Sequence, residues 1–312
     1  MKQEFIPKTF NAKHAALITT ADRIMRNYAA QGYDLSLRQL YYQFVAHHAL
    51  PNTEQNYKLL GGVISDARLA GLLDWDSLVD RGRNTIRNSH WGTPADIIDS
   101  AASSFRIDLW ETQRYHVEVM VEKQALEGVL VPVCRRLDVP FTANKGYSSS
   151  SAMYEAGKRL EEKIDQGKNV VIVYLGDHDP SGIDMGRDVL DRLALFSRAG
   201  YWDEGEKAVE IRDDGVFGVE RIALNMDQIK RYNPPPNPAK MTDSRAEGYV
   251  SKFGYESWEL DALDPETLAN LVTSTVQGYI DDEAWEERVA LMEKGRSDLR
   301  DMAKTYRENE ER

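Results

Sequence analysis

Residues 169 to 175, with the sequence NVVIVYL, constrain the fold more than any other segment of this 312-residue chain. A near-continuous apolar run of this length is typical of a central parallel strand that is buried on both faces. Residues 115 to 121 predict a second strand. Strands that alternate with helices predict an α/β domain with a parallel sheet. Three elements are predicted between these two strands: a helix over 124–136, a strand over 139–143 and a helix over 150–164.

Acidic residues follow both of these predicted strands. Glu122 comes directly after the first strand, and Asp177 and Asp179 come just after the buried one. Open α/β sheets bind their ligands at the carboxyl ends of the strands. Three carboxylates held together repel one another unless a cation lies between them, and oxygen ligands favour a hard ion. The sequence therefore predicts a site for Mg²⁺, or for Mn²⁺, with a simple helix cap and turn as the alternative.

The N-terminal part of the chain has a different pattern. Its apolar residues recur at the helical period in three segments, and a short stretch at 75–79 with a basic turn follows. Three helices with a short strand and a basic turn predict a winged helix over residues 1–92, in which the third helix enters the DNA major groove. A module that contacts protein is the alternative. The predicted helices span 13–31, 36–49 and 52–71, and the candidate phosphate contacts are Lys58, Arg68, Arg81 and Arg83.

The charge of the chain is distributed unevenly. The net charge is −12, which at first argues against binding to nucleic acid. Residues 1–92 nevertheless carry eleven basic and eight acidic side chains, so the negative charge lies in the remainder. The N-terminal third is therefore expected to face DNA.

Length and composition indicate a multi-domain globular protein. A chain of 312 residues usually forms two domains. No apolar run approaches the ~20 residues of a membrane span, and no signal peptide is recognised, so a cytoplasmic protein without a membrane partner is expected. We expect a linker over residues 93–114 between the winged helix and an α/β domain over 115–312.

Three motifs in the second domain resemble a known family. They are Val121-Glu122-Lys123, then Lys145-Gly146-Tyr147, then Gly176-Asp177-His178-Asp179-Pro180-Ser181-Gly182. Over residues 115 to 190 they look like the Toprim domain of type IIB topoisomerases, specifically the topoisomerase VI A subunit and its meiotic double-strand-break relatives. The resemblance implies a Toprim metal-binding domain with a C-terminal extension. It also implies that Glu122, Asp177 and Asp179 hold the metal, and that Lys145 contacts DNA.

The same family has a tyrosine that attacks DNA, within a motif like Arg-x-Ile-Tyr-Tyr. This chain has Arg38-Gln39-Leu40-Tyr41-Tyr42, and the resemblance points to the second tyrosine. The helical pattern agrees, because it predicts that Tyr41 faces the core and that Tyr42 is exposed beside Arg38. A phenol with a pKa of ~10 is a poor nucleophile at neutral pH, so Arg38 is expected to lower that pKa and to hold the phosphate. The alternative is that both tyrosines only pack the helix.

The resemblance implies DNA cleavage by transesterification, with Tyr42, Arg38 and Glu122 as catalytic residues and 5′-phosphotyrosyl ends as products. It also implies a homodimer on double-stranded DNA, in which the tyrosine of one subunit works with the metal of the other. The sequence contains no G-x-x-x-x-G-K-[ST] loop, so strand passage would need a separate ATPase subunit.

Two other functions fit the same residues. One is a Toprim nuclease that uses metal-activated water, with Tyr42 as a structural residue. The other is an inactive DNA-binding adaptor. The segment 258–263 is interpreted as an amphipathic packing segment, with a further acidic group for the site as the alternative.

Overall fold

The computed structural model describes residues 2–33, 35–79, 88–144, 149–197 and 217–310. Within these ranges the chain combines helices with a four-stranded parallel sheet, so the predicted α/β class is confirmed. No helix in the same ranges is long and apolar enough to cross a membrane.

Three helices begin the chain, as the apolar spacing predicts. They are capped by side chains that accept a hydrogen bond from the first helical turn, and Ser36 with Gln39 forms the predicted capping box. Their apolar faces meet in one buried core that includes Phe44 and Leu60. The helices are α1 (Ala12–Ala30), α2 (Leu37–Ala46) and α3 (Glu54–Leu69).

The segment after α3 differs from the predicted wing strand. In residues 75–79 only Leu78 forms a β-bridge, an isolated parallel one with Leu35, so the strand prediction there is wrong. Arg68 holds the segment instead. Its Nη2 donates to the carbonyls of Trp75 at 2.7 Å and Leu78 at 3.1 Å, and its guanidinium lies 4.3 Å from the centre of the Trp75 ring.

The sheet has the strand order β2–β1–β3–β4, and all its pairings are parallel. Strand β3 is central, and residues 170–175 are fully buried, as their apolar run predicts. Strand β4 is an addition to the predicted set. The bounds are β1 (Tyr115–Val121), β2 (Phe141–Ala143), β3 (Asn169–Leu175) and β4 (Phe217–Ala223).

Helices cover both faces of this sheet. Helices α5 and α10 pack on the face that carries Val119 and Val173, and helices α6 and α7 pack on the face that carries Met120 and Ile172. The bounds are α5 (Glu127–Arg136), after a 3₁₀ turn at Gln124–Leu126, then α6 (Ser150–Asp165), α7 (Pro180–Ser197) and α10 (Pro265–Gln277).

A helix also lies within the segment expected to link the two domains. This helix, α4 (Pro94–Ser104), packs along the C-terminal helix α11 (Asp282–Glu310). Arg296 on α11 donates to the Phe105 carbonyl at 3.1 Å. The remaining elements are α8 (Met226–Tyr232), β5 (Asn237–Pro238), α9 (Ala246–Phe253), β6 (Glu256–Ser257) and a 3₁₀ turn at Leu260–Ala262.

Strand β1 carries a buried charge that depends on one partner. Glu118 is 1% exposed, and Arg159 on α6 donates to it twice, from Nε at 2.9 Å and from Nη2 at 2.7 Å. Burial alone would raise the pKa of Glu118, but Arg159 and His116 hold it below its ordinary value. Glu118 is therefore ionised inside the sheet and needs its cation.

We expect Arg159→Ala to lower the free energy of unfolding by about 3 kcal/mol, because it leaves a buried charge without its main partner. Urea denaturation at neutral pH measures this. The stability that comes from a lowered pKa is present above the ordinary pKa of the group and is lost as the pH falls. The difference in the free energy of unfolding between Arg159→Ala and wild type should therefore become smaller below about pH 4.5.

The matched control is Arg187→Ala on α7. Arg187 is exposed and pairs with Asp184 and Asp191 within its own helix, so its loss should cost less than about 1 kcal/mol. Equal effects of the two substitutions would contradict the structural role of the Glu118 pair.

Candidate functional site

The predicted acidic residues lie together at the ends of two neighbouring strands. Strands β1 and β3 remain paired up to Val121 and Leu175, and the acidic residues follow directly. The Glu122 N–H donates to the Leu175 carbonyl at 2.9 Å, and the Asp177 N–H donates to Glu122 Oε2 at 2.8 Å. Glu122 and Asp177 are buried, and Asp179 is half-buried. The predicted positions at the strand ends are confirmed.

Close packing fixes the turn that carries Asp177 and Asp179. Asp179 Oδ1 accepts a hydrogen bond from the Gly182 N–H at 2.6 Å, which stabilises the first turn of α7. A Cβ atom on Gly182 would lie 2.4 Å from the Asp177 carbonyl oxygen, so only glycine fits there. Arg221 on β4 donates from Nη2 to the carbonyls of Gly176 at 3.1 Å and Asp177 at 2.6 Å. The turn is therefore held from both sides.

The segment 258–263 packs against this turn. Trp258 and His178 exchange two main-chain hydrogen bonds of 2.9 Å, as in an antiparallel pair. The Leu260 N–H then donates to Asp177 Oδ1 at 2.8 Å. The segment packs its apolar residues in the core, as predicted, and also brings its acidic residues to the site, which is the alternative left open by the sequence.

Lys123 is the charged centre of the site. Its Nζ lies 2.8 Å from Asp177 Oδ2, pairs with Glu259 Oε2 and lies 3.7 Å from Asp261 Oδ1. Arg38 on α2 reaches two of the same carboxylates. Its Nη2 lies 3.2 Å from Glu259 Oε2, and its Nε lies 3.5 Å from Asp261 Oδ2. We call these five residues the charge network; it joins both parts of the chain.

Negative charge in and beside the network is incompletely compensated. The Asp261 side chain is fully enclosed, and neither of its carboxylate oxygens has a hydrogen-bond partner in the described part of the chain. Burial raises the pKa of Asp261. Burial also raises the pKa of Asp177 to about 8, and although Lys123 opposes this, the charge of Glu122 adds to it. The pKa of Glu122 is raised by its own burial too. A further cation would relieve this repulsion.

The predicted metal ligands fit a hard divalent ion in their chemistry, since all are carboxylates. Glu122 Oε1 and Asp179 Oδ2 have no hydrogen bond within the described residues. In the same residues, no three His, Cys, Asp or Glu side chains are already arranged around a common metal position. Asp177 directs its two oxygens to Leu260 and Lys123. The metal role of the three acidic residues stays a prediction.

Tyr42 lies beside the charge network and is buried, so the prediction that it is exposed is wrong. Only 6% of it is accessible, because the 3₁₀ turn at 260–262 packs against α2. The apolar core of the first three helices includes Tyr41 and excludes Tyr42, whose ring centre lies 5.8 Å from the Arg38 guanidinium. Tyr42 also lines a cavity of about 250 Å³ with Arg38, Tyr41, Asn52, Thr53, Glu54 and Tyr57.

The surroundings of Tyr42 make its phenol a weaker acid. Burial raises its pKa to about 12, and the charge of Glu259 contributes in the same direction. Arg38 and Lys123 lower the pKa, but by less than the other two effects raise it. The expectation that Arg38 brings the pKa below its ordinary value is therefore wrong for this structure. Tyr42 is protonated at neutral pH, so its proton must leave before or during any attack.

The predicted DNA contacts differ in their surroundings. Lys58 is exposed on α3 and pairs with Glu54 at 2.7 Å. Arg68 is committed to main-chain carbonyls after α3, and the structure gives it a role in the fold. Arg81, Arg83 and Lys145 lie outside the described residues.

Comparisons with known proteins assign no family to the chain. No protein-family model matches it, and no curated protein matches it. The likeness to the Toprim family therefore depends on the sequence motifs.

Proposed function

We propose that the chain is a DNA-cleaving enzyme that resembles the topoisomerase VI A subunit and acts by tyrosine transesterification. One observation carries the proposal: the Arg38 guanidinium lies 5.8 Å from the centre of the Tyr42 ring and pairs with Glu259, which also pairs with Lys123 beside Asp177. A candidate nucleophile, a cation for phosphate and a buried acidic group thus meet in one chain. These are the groups that phosphodiester transesterification requires.

Arg38 is suited to hold the scissile phosphate. Its side chain is 51% exposed, so a DNA strand can reach it. Although burial lowers the pKa of Arg38, the neighbouring Tyr42, Asp261 and Glu259 raise it overall, and the guanidinium stays charged. Its planar fork can bind two phosphate oxygens at once.

Tyr42 is the nucleophile in this proposal. Its Oη attacks the phosphorus atom, the bond from phosphorus to the 3′ oxygen breaks, and the tyrosine stays attached to the 5′ phosphate. The phenolic proton leaves as the new bond forms, and Glu259, whose charge acts on the phenol, is the proposed acceptor. The departing 3′ oxygen takes a proton from water.

Glu122, Asp177 and Asp179 are the residues that would hold Mg²⁺ or Mn²⁺. When bound, the ion would supply positive charge beside the phosphate and the leaving oxygen. The raised pKa values of Glu122 and Asp177 support this assignment, because burial, with a smaller contribution from acidic neighbours, disfavours their charged forms, and a bound cation would offset both effects.

Supercoiled plasmid with Mg²⁺ or Mn²⁺ tests the reaction class. Wild type, Tyr42→Phe and Asp177→Asn are compared, with and without protease before electrophoresis. The proposal predicts protein-linked breaks in wild type and none in either variant. Adduct-free cutting that persists in Tyr42→Phe would contradict it.

A Toprim nuclease is the second candidate, and one observation favours it. Tyr42 is almost fully buried and its pKa is raised, as expected of a structural tyrosine. This enzyme would cut in Tyr42→Phe, lose activity in Asp177→Asn and leave free DNA ends. DNA binding without any cutting would indicate the inactive adaptor.

We also propose which molecules the enzyme works with. A two-fold homodimer on double-stranded DNA would make paired cuts on opposite strands, and a separate ATPase subunit would be needed for strand passage. The resemblance implies a tyrosine and a metal from different subunits, whereas here Tyr42 and the charge network belong to one chain.

We therefore expect that mixing Tyr42→Phe with Asp177→Asn does not restore cleavage, because each chain still lacks one group of its own site. The measurement is plasmid nicking after the two variants are unfolded and refolded together. A site shared between subunits would instead give one active site per mixed dimer, and nicking would return. Restored nicking contradicts the arrangement within one chain.

A further inference from the structure

Part of the acidic site already contains a cation. The Lys123 ammonium is bounded by Asp177 Oδ2 at 2.8 Å, by Glu259 Oε2 and by Asp261 Oδ1 at 3.7 Å. Its side chain is 16% exposed. The ammonium thus has three carboxylates as neighbours, and carboxylate oxygens are also the ligands that hard divalent ions prefer.

The ion pairs with Asp177 and Glu259 hold the Lys123 ammonium in place. Lys123 thus supplies a permanent positive charge at a fixed place, which a soluble ion would otherwise have to provide.

Asp261 gives independent evidence that a cation belongs at this position. Its side chain is completely buried, and both of its carboxylate oxygens lack a hydrogen-bond partner within the described residues. Buried carboxylates without hydrogen bonds are costly, so the nearby charges must compensate this one. Those charges are Lys123 at 3.7 Å and Arg38 at 3.5 Å.

We propose that the Lys123 ammonium serves as a built-in second cation, so that the site takes one divalent ion and not two. The single ion is the one assigned to Glu122, Asp177 and Asp179, and in this respect the inference rests on the proposed function. In two-metal phosphoryl-transfer sites, two ions share the charge of the attacking and leaving oxygens. Here Lys123 replaces one of them.

Replacement of Lys123 by an uncharged residue would remove the ammonium from the charge network. Glu259 and Asp261 would then keep the half-exposed Arg38 as a counter-ion, and Asp177 would lose its ion pair with Lys123. The vacated position would be surrounded by carboxylate oxygens and would bind a divalent ion.

Mn²⁺ titration of the full chain, followed by electron paramagnetic resonance, counts the ions without any need for DNA cleavage. We expect one ion per chain in wild type and two in Lys123→Met, which is similar in length and uncharged. Lys123→Arg keeps the positive charge and should still bind one ion per chain. The double variant Lys123→Met with Glu259→Gln loses both the ammonium and one of the surrounding carboxylates, so it should also bind one ion per chain.

An unchanged count in Lys123→Met overturns the inference, and so do two ions in wild type. If wild type binds no ion and Lys123→Met binds one, Lys123 still occupies a cation position, but the proposed function loses its metal. Failure of the inference and failure of the proposed metal therefore give different ion counts. If Lys123→Met is unfolded without metal, its folding on addition of Mn²⁺, followed by circular dichroism, supports the inference. Failure to fold in saturating Mn²⁺ overturns it.

Discussion

Tyr42→Phe is expected to lower the yield of protein-linked DNA by at least about 10³-fold, since it removes the oxygen that bonds to phosphorus. Phenylalanine keeps the buried ring of Tyr42, so the variant is expected to fold as wild type does. The measurement is the fraction of a labelled duplex that becomes attached to protein. The wild-type yield should rise between pH 7 and pH 9, because burial raises the pKa of Tyr42 to about 12 and more phenolate forms as the pH increases.

Tyr57→Phe is the matched control for this substitution. Tyr57 lines the same cavity as Tyr42 and packs its ring edge-on against Tyr41, so the variant loses a hydroxyl from the same surroundings. It should cleave as wild type does. A Tyr42→Phe protein that retains more than a tenth of the wild-type yield contradicts the role of Tyr42.

Asp177→Asn is expected to lower cleavage by at least about 10²-fold while it stabilises the metal-free protein at pH 8. Burial raises the pKa of Asp177 to about 8, so the folded state favours the protonated form. The associated stability is present at low pH and is lost as the pH rises from about 4 to about 8. Asparagine never ionises, and even one pKa unit corresponds to about 1.4 kcal/mol.

Urea denaturation in a chelator at pH 5 and at pH 8 measures this effect. The free energy of unfolding of Asp177→Asn should exceed that of wild type by more at pH 8 than at pH 5. The control is Asp227→Asn, whose carboxylate is fully exposed on α8 and should show no such trend. If this difference in the free energy of unfolding decreases as the pH rises, the folded protein stabilises Asp177 as a carboxylate, which contradicts the prediction.

Local sequence patterns predicted the frame of the site. The apolar run of β3 identifies a strand buried on both faces, and Glu122 and Asp177 follow strands that are neighbours in the sheet. Parallel strands end at a common edge, so the meeting of these residues follows from sequence order and strand pairing alone.

Strand β4 could not be predicted in this way. Glu220 and Arg221 interrupt its apolar residues, and both have partners that are distant in sequence. Glu220 accepts a hydrogen bond from Tyr279 at 2.8 Å, and Arg221 donates to the turn at Gly176. Charged residues inside a strand weaken the apolar pattern from which strands are recognised.

The burial of Tyr42 and the charge network also depended on distant segments. The helical pattern of α2 reports which residues share a face, but it does not show that residues 260–262 cover the polar face. Glu259 and Asp261 reach the site because Trp258 pairs with His178, about eighty residues earlier in the chain. No local signal identifies such a pairing.

The site of covalent attachment tests the central claim most directly. Wild-type protein is incubated with a duplex and Mn²⁺, the complex is digested with nuclease and trypsin, and the peptides are sequenced by tandem mass spectrometry. Trypsin cuts after Arg38 and Lys58 and releases residues 39–58, which contain Tyr41, Tyr42 and Tyr57. We predict a nucleotide on Tyr42 alone. Cleaved DNA with a nucleotide on another tyrosine, or on none, would contradict the account.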